Sequence, residues 1–160
     1  MNYRILVLSS DSVYRRAVGL SLRQLNEDVL FADSIEAAHQ LTEQMSPMLL
    51  ITDFSISQTG DGFEFAVAMR DRFRQLQCIV TGDTDVADYI HAAKDMAWLQ
   101  IFRRPFSMVG FMTGVIRALE QPAVVHEDLA EGSDAKLNVI AFPKRQLETE
   151  ASIIRPAAAN

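Results

Sequence analysis

Met48-Leu49-Leu50-Ile51-Thr52-Asp53-Phe54-Ser55-Ile56-Ser57-Gln58-Thr59-Gly60-Asp61-Gly62 is an apolar run that stops on a carboxylate and crosses a polar loop. Residues 48–52 are apolar or β-branched without alternation, which fits a strand buried on both faces, the kind found in parallel sheets. Phe63 then begins a helical pattern. Asp53 is thereby predicted at the carboxyl end of a central strand, where open α/β sheets place their chemistry.

The same grammar extends in both directions. Arg4 to Leu8 is a short apolar run that stops at Ser9-Ser10-Asp11-Ser12. Asp11 or Ser12 is a suitable N-cap for a helix carrying Val13, Ala17, Val18, Leu22 and Leu25. Asp28 to Ala32 is a more polar strand, and Asp33 with Glu36 resembles a capping box opening a helix that Pro47 closes. After Asp53, Phe63, Ala66, Val67, Arg70 and Phe73 form one helical stripe. Gln77 to Thr81 is a fourth strand, and Gly82-Asp83-Thr84-Asp85 leads into a helix over residues 86–96. Trp98 to Phe102 is a fifth strand, followed by Arg103-Arg104-Pro105-Phe106 and a last helix capped by Ser107. Five strand–helix alternations with short connections predict an α/β domain over residues 1–120, with a parallel sheet and helices on both faces.

Residues 121–160 break this pattern and read as a flexible tail, with a strand-like stretch at residues 137–142 able to add to a sheet edge. They are too few to suggest a separate DNA-binding output domain. The chain carries 160 residues, 49% hydrophobic and 22% charged, with a net charge of −6. That balance argues against a nucleic-acid surface, which needs a basic face. One cysteine, Cys78, excludes an internal disulfide framework and suits a reducing compartment. There is neither a signal-peptide pattern nor a run long enough to span a membrane, so a soluble cytoplasmic protein is expected.

Strands that end together bring Asp53, Thr81, Arg104 and the loop from Ser9 to Ser12 to one edge. In this order and spacing, Asp53, Asp61-Gly62, Thr81-Gly82 and Arg104-Pro105-Phe106 resemble the receiver domains of two-component response regulators, over residues 3 to about 120. The resemblance implies a flavodoxin-like (CheY-like), doubly wound sheet of strand order 2-1-3-4-5. It implies that Asp53 accepts a phosphoryl group from a histidine kinase, that Thr81 and Arg104 contact the phosphoryl oxygens, and that Arg104-Pro105 is cis. Phosphoryl transfer relies on positioning and charge neutralisation, tasks suited to a threonine hydroxyl and a guanidinium.

The departures are as informative as the matches. Where receivers carry an acidic pair for Mg²⁺, this chain has Ser9 and Ser10, poor ligands for a cation that prefers carboxylates and water. Only weak Mg²⁺ binding through Asp53 and Asp11 is expected, and Asp11 is better suited to capping a helix. Arg104 replaces the usual lysine, with different geometry. The loop from Asp53 to Asp61 is one residue longer, with Ser57 in place of proline, and Ile101, beside Phe102, stands at the fifth-strand aromatic position. With neutral Ser9 and Ser10, an Asp53–Arg104 pair is expected to form without metal and hold one conformation. The expected function is that of a stand-alone atypical receiver, not an enzyme, docking to a histidine kinase or another signalling protein with phosphorylation impaired or absent. The alternative is a conventional single-domain regulator or phosphate sink phosphorylated on Asp53. A flavodoxin-like cofactor binder, with Ser9, Ser10 and Ser12 holding a flavin phosphate, is disfavoured by Asp11 and a loop without glycine.

Other features receive plainer readings. His39, His91 and His126 share no ligand spacing. Met108, Phe111, Met112 and Ile116 read as mostly core. Gly110 and Gly114 lie on one helix face and permit close approach of another element, and the resemblance implies a possible homodimer through the fourth helix, fifth strand and last helix. Arg15-Arg16 and Arg70, Arg72 and Arg74 read as solvated charge, and Cys78 as a buried structural thiol.

Overall fold

The computed structural model describes residues 4–25, 28–56, 60–83 and 86–121, with the side chain of residue 92 excepted. The expected loop cap at Thr84-Asp85, Ser57, and the strand-like stretch at 137–142 lie outside the described residues. Five strands form one parallel sheet: β1 (Arg4–Leu8), β2 (Asp28–Ala32), β3 (Leu49–Asp53), β6 (Gln77–Gly82) and β7 (Leu99–Arg103). Their order is β2-β1-β3-β6-β7, the predicted 2-1-3-4-5 arrangement. A two-residue antiparallel hairpin, β4 (Ser55–Ile56) with β5 (Gly60–Asp61), lies within the loop after β3. The sequence pattern predicts a loop here and does not include this hairpin.

Every residue of β3 is buried, as expected of the middle strand of a sheet covered on both sides. Helices α1 (Ser12–Leu22) and α5 (Met108–Glu120) cover one face, where Val18, Leu22, Phe111, Val115 and Ala118 pack on Ile5, Val7, Leu49, Ile51 and Ile79. The alternate strand residues Leu6, Leu8, Leu50, Cys78 and Val80 are equally buried and point the other way. Helices α2 (Ile35–Gln44) and α3 (Gly62–Arg72) pack on the sheet through Ala38, Phe63, Phe65, Ala66 and Met69, and α4 (Ala87–Ala93) lies against β7. Burial pushes the Cys78 thiol far up, against a smaller opposing pull from the Arg70 charge, in keeping with a structural role.

Several local expectations shift. Ser34, not Asp33, caps α2, accepting from the Ala37 amide at 3.3 Å. The fourth helix ends at Ala93 rather than Met96. Val13 is 75% exposed, because it stands in the first turn of α1, and Met108 and Ile116 of α5 are about two-fifths exposed. Gly114 supports the packing of α5 on β7: a Cβ there would lie 2.6 Å from the Phe102 ring, and Gln100 donates to its carbonyl at 3.0 Å. Gly110 is exposed, so the two glycines do not serve one contact. Arg70 is not simply solvated, since it donates to the Leu76 carbonyl at 2.7 Å and lies over the Trp98 ring.

Candidate functional site

Three strand ends are tied together by backbone bonds that leave little freedom. The Phe54 amide donates to the Thr81 carbonyl at 2.7 Å, and the Arg104 amide to the Gly82 carbonyl at 2.7 Å. Asp53, Thr81 and Arg104 are thereby held side by side, with Asp53 and Thr81 direct partners in the register. The loop returns under Asp53 by way of Asp61, whose carboxylate caps α3 by accepting from Phe63 and Glu64 amides at 2.7 and 3.2 Å. Gly62 follows because nothing larger fits: a Cβ there would lie 1.9 Å from the Asp53 carbonyl oxygen. The Asp61-Gly62 pair of the sequence therefore has a steric cause.

Asp53 is only 6% exposed, and both of its carboxylate oxygens are engaged by the chain itself. Ser9 Oγ donates to Oδ2. Oδ1 accepts from Thr81 Oγ1 at 2.8 Å and from Arg104 Nη2, which forms an ion pair with it. Arg104 Nη2 also lies 3.2 Å from Thr81 Oγ1. A carboxylate buried in this way needs both a counter-charge and hydrogen bonds to offset its lost hydration, and it has both. The Arg104-Pro105 peptide is cis, as the resemblance implied.

The acidic-pair positions are organised differently. Ser9 is fully buried and Ser10 is exposed. Asp11 caps α1, accepting from the Val13 and Tyr14 amides at 2.8 and 3.0 Å, so its carboxylate is committed to the helix N-terminus. The Asp11 amide donates to Ser9 Oγ at 3.1 Å, and Arg15 donates to the Ser9 carbonyl, a contact at odds with reading Arg15 as merely solvated. Among the described residues no three His, Cys, Asp or Glu side chains cluster to hold a metal ion. Two neutral hydroxyls and one carboxylate already paired with a guanidinium do not fit the octahedral oxygen set that Mg²⁺ requires.

Tyr14 was absent from the sequence-derived candidates. Its hydroxyl lies 3.2 Å from Thr81 Oγ1 and its ring 4.5 Å from the Arg104 guanidinium carbon. Thr81 Oγ1 faces both the Asp53 carboxylate, at 2.8 Å, and the Tyr14 phenol oxygen, at 3.2 Å, so its single proton serves one of the two at a time. Burial raises the Tyr14 pKa above its ordinary value, and the nearby Asp53 charge adds to this. The hydrogen bond to Thr81 and the Arg104 charge oppose it. A signal was available: helical side chains lean toward the helix N-terminus, so an aromatic in the first turn after the Ser9–Ser12 loop overhangs the sheet edge.

No protein-family model and no curated protein matches the sequence. Solved structures do match. A response regulator receiver protein from Sinorhizobium medicae is 18% identical with a TM-score of 0.64, covering 74% of this chain and 94% of that one. The non-phosphorylated HemR receiver domain from Leptospira biflexa is 19% identical with a TM-score of 0.67, covering 76% and 97%. A receiver domain protein from Clostridium thermocellum is 19% identical with a TM-score of 0.64, covering 73% and 94%. At these identities the likeness establishes the fold, that of the receiver domains. No helix of the described residues is long and apolar enough to cross a membrane.

Proposed function

We propose that this chain is an atypical receiver module of two-component signalling, acting in the cytoplasm by docking to a histidine kinase or another signalling protein, with phosphorylation of Asp53 impaired. The observation that carries this reading is the saturation of Asp53. Ser9 occupies one oxygen and Thr81 with Arg104 the other. To attack phosphorus, an Asp53 oxygen must shed these donors, and no acidic pair recruits a cation to neutralise the incoming phosphoryl group. In this reading the chain signals through its surfaces rather than by catalysing a reaction.

Those surfaces include exposed apolar side chains grouped on one side of α5. Met108, Val109 and Ile116 of α5 are exposed, and with Ser21 of α1 and Gln24 of the turn that follows it they line a depression of about 390 Å³. This supports docking on the α1–α5 side more than the α4–β7–α5 homodimer that the resemblance suggests.

A second reading, a phosphate sink or conventional regulator, is favoured by the placement of Thr81 and Arg104 around Asp53, where both would contact a phosphoryl group. The experiment that separates the two is intact-mass measurement after incubation with a small phosphodonor and Mg²⁺. Asp53→Asn and a competent receiver serve as controls. Failure of the folded wild type to label while the control labels supports the docking module. An adduct that requires Asp53 and accumulates as fast as in the control overturns it.

A further inference from the structure

We propose that Tyr14 is a positioning residue that holds Arg104 on Asp53 and makes helix α1 the element that senses the state of this pair. The inference rests on the reading that the Asp53–Arg104 pair holds the site without metal, and it adds the route by which that pair reaches the surface.

Thr81 and Phe102 are register partners on neighbouring strands. The Phe102 ring, however, is turned into a cluster with Phe106 and Phe111, at centroid distances of 5.8 and 5.6 Å. That cluster belongs to the core beneath α5, so β7 is anchored by packing that does not involve the Thr81 hydroxyl. The aromatic that does meet this hydroxyl comes from α1, and the same ring carries the Arg104 guanidinium on its face.

These two contacts act together. A guanidinium over an aromatic face gains electrostatic attraction and loses less by partial burial than it would alone. The phenol oxygen meets the Thr81 hydroxyl that also bonds Asp53, so Tyr14 touches both groups that engage Oδ1. Removing the Asp53 charge withdraws the group that draws Arg104 inward, and Arg104 then leaves the Tyr14 ring. Tyr14 lies in the first turn of α1, so the helix loses a tether at the end facing the site. A second link runs from Asp53 through Ser9 to Arg15, the next residue along the helix. Both routes converge on α1, and a test must tell them apart.

The experiment is amide hydrogen exchange, followed by NMR, in wild type, Asp53→Asn, Tyr14→Leu and the double variant. Asp53→Asn is expected to accelerate exchange of the Arg15 to Val18 amides about tenfold, with little change in α5. In the Tyr14→Leu background the same substitution is expected to change these amides by less than about threefold, since the tether is already gone. Tyr14→Phe, which keeps the ring and drops the hydroxyl, is the milder variant should leucine impair folding, and it should fall between. An undiminished tenfold response without Tyr14 would assign the coupling to Ser9 and Arg15 and overturn the proposal. So would a response confined to β7 and α5. The measurement involves no phosphoryl group, so its outcome stands apart from whether Asp53 can be labelled.

Discussion

The two flanks of the Asp53 carboxylate are built from different materials. On one side Ser9 offers a neutral hydroxyl, and the nearest acid of that loop, Asp11, turns away to cap α1. On the other side Arg104 brings a full positive charge, flanked by Thr81 and backed by the Tyr14 ring. The contrast teaches where the counter-charge for a buried carboxylate comes from. Here it is built into the chain on the Arg104 side. The Ser9 side is left without the charge that would draw in a metal ion.

The comparison breaks most sharply at Arg104. Removing one member of a buried ion pair costs about 3–5 kcal/mol, because the other charge stays buried alone. Arg104 is 30% exposed on its side chain and Asp53 keeps two hydroxyl donors, so Arg104→Ala should cost about 2–3 kcal/mol. Urea unfolding at neutral pH measures it, and Arg104→Lys should recover part of the loss by restoring charge without the fork. An unchanged midpoint in the alanine variant would mean that the Arg104 flank does not balance Asp53.

The Ser9 flank can be sharpened by giving it the charge it lacks. Ser9→Asp places a second carboxylate against Asp53 Oδ2 and should destabilise the metal-free protein by about 1–2 kcal/mol through like-charge repulsion. Millimolar Mg²⁺ should then raise the thermal midpoint of this variant and leave that of the wild type unmoved, since only the variant has carboxylates to share a cation. Equal responses would show that the Ser9 flank already binds the ion.

Much of this site was legible because a parallel sheet brings strand ends together whatever the side chains between them. Asp53, Thr81 and Arg104 each follow an apolar run, and the topology alone makes them neighbours. Which side chain fills the space above them depends on the rotation of α1 about its axis, which apolar spacing only loosely fixes. Val13 shares the apolar helical spacing of Val18 and Leu22 yet faces solvent, while Tyr14, one residue on, reaches the site. Helix α5 misled in another way. It is apolar on more than the one face the sheet covers, so Met108 and Ile116 could be core or surface on sequence alone. The hairpin formed by Ser55–Ile56 and Gly60–Asp61 is too short for alternation to register, and Gly60 reveals itself only by its positive φ of 133°.

The smallest expected effect tests the aromatic that backs the charged flank. Tyr14 is held neutral by burial, so its pKa in the folded protein lies above its unfolded value near 10. Over the range between those two values the unfolded chain releases the proton and the folded chain retains it. The stabilisation is therefore present in full below the unfolded value and is lost as pH rises through the folded one. The loss is at most about 1.4 kcal/mol for each pH unit in that window. Other tyrosines and the lysines titrate in the same range, so the informative quantity is the difference from Tyr14→Phe, whose residue 14 has no proton to lose. Above pH 10 the wild type should lose stability relative to the phenylalanine variant, with the two curves parallel at pH 7–9. Curves that remain parallel to pH 11 would place the phenol in water rather than against Thr81, and the charged flank of Asp53 would then rest on Arg104 alone.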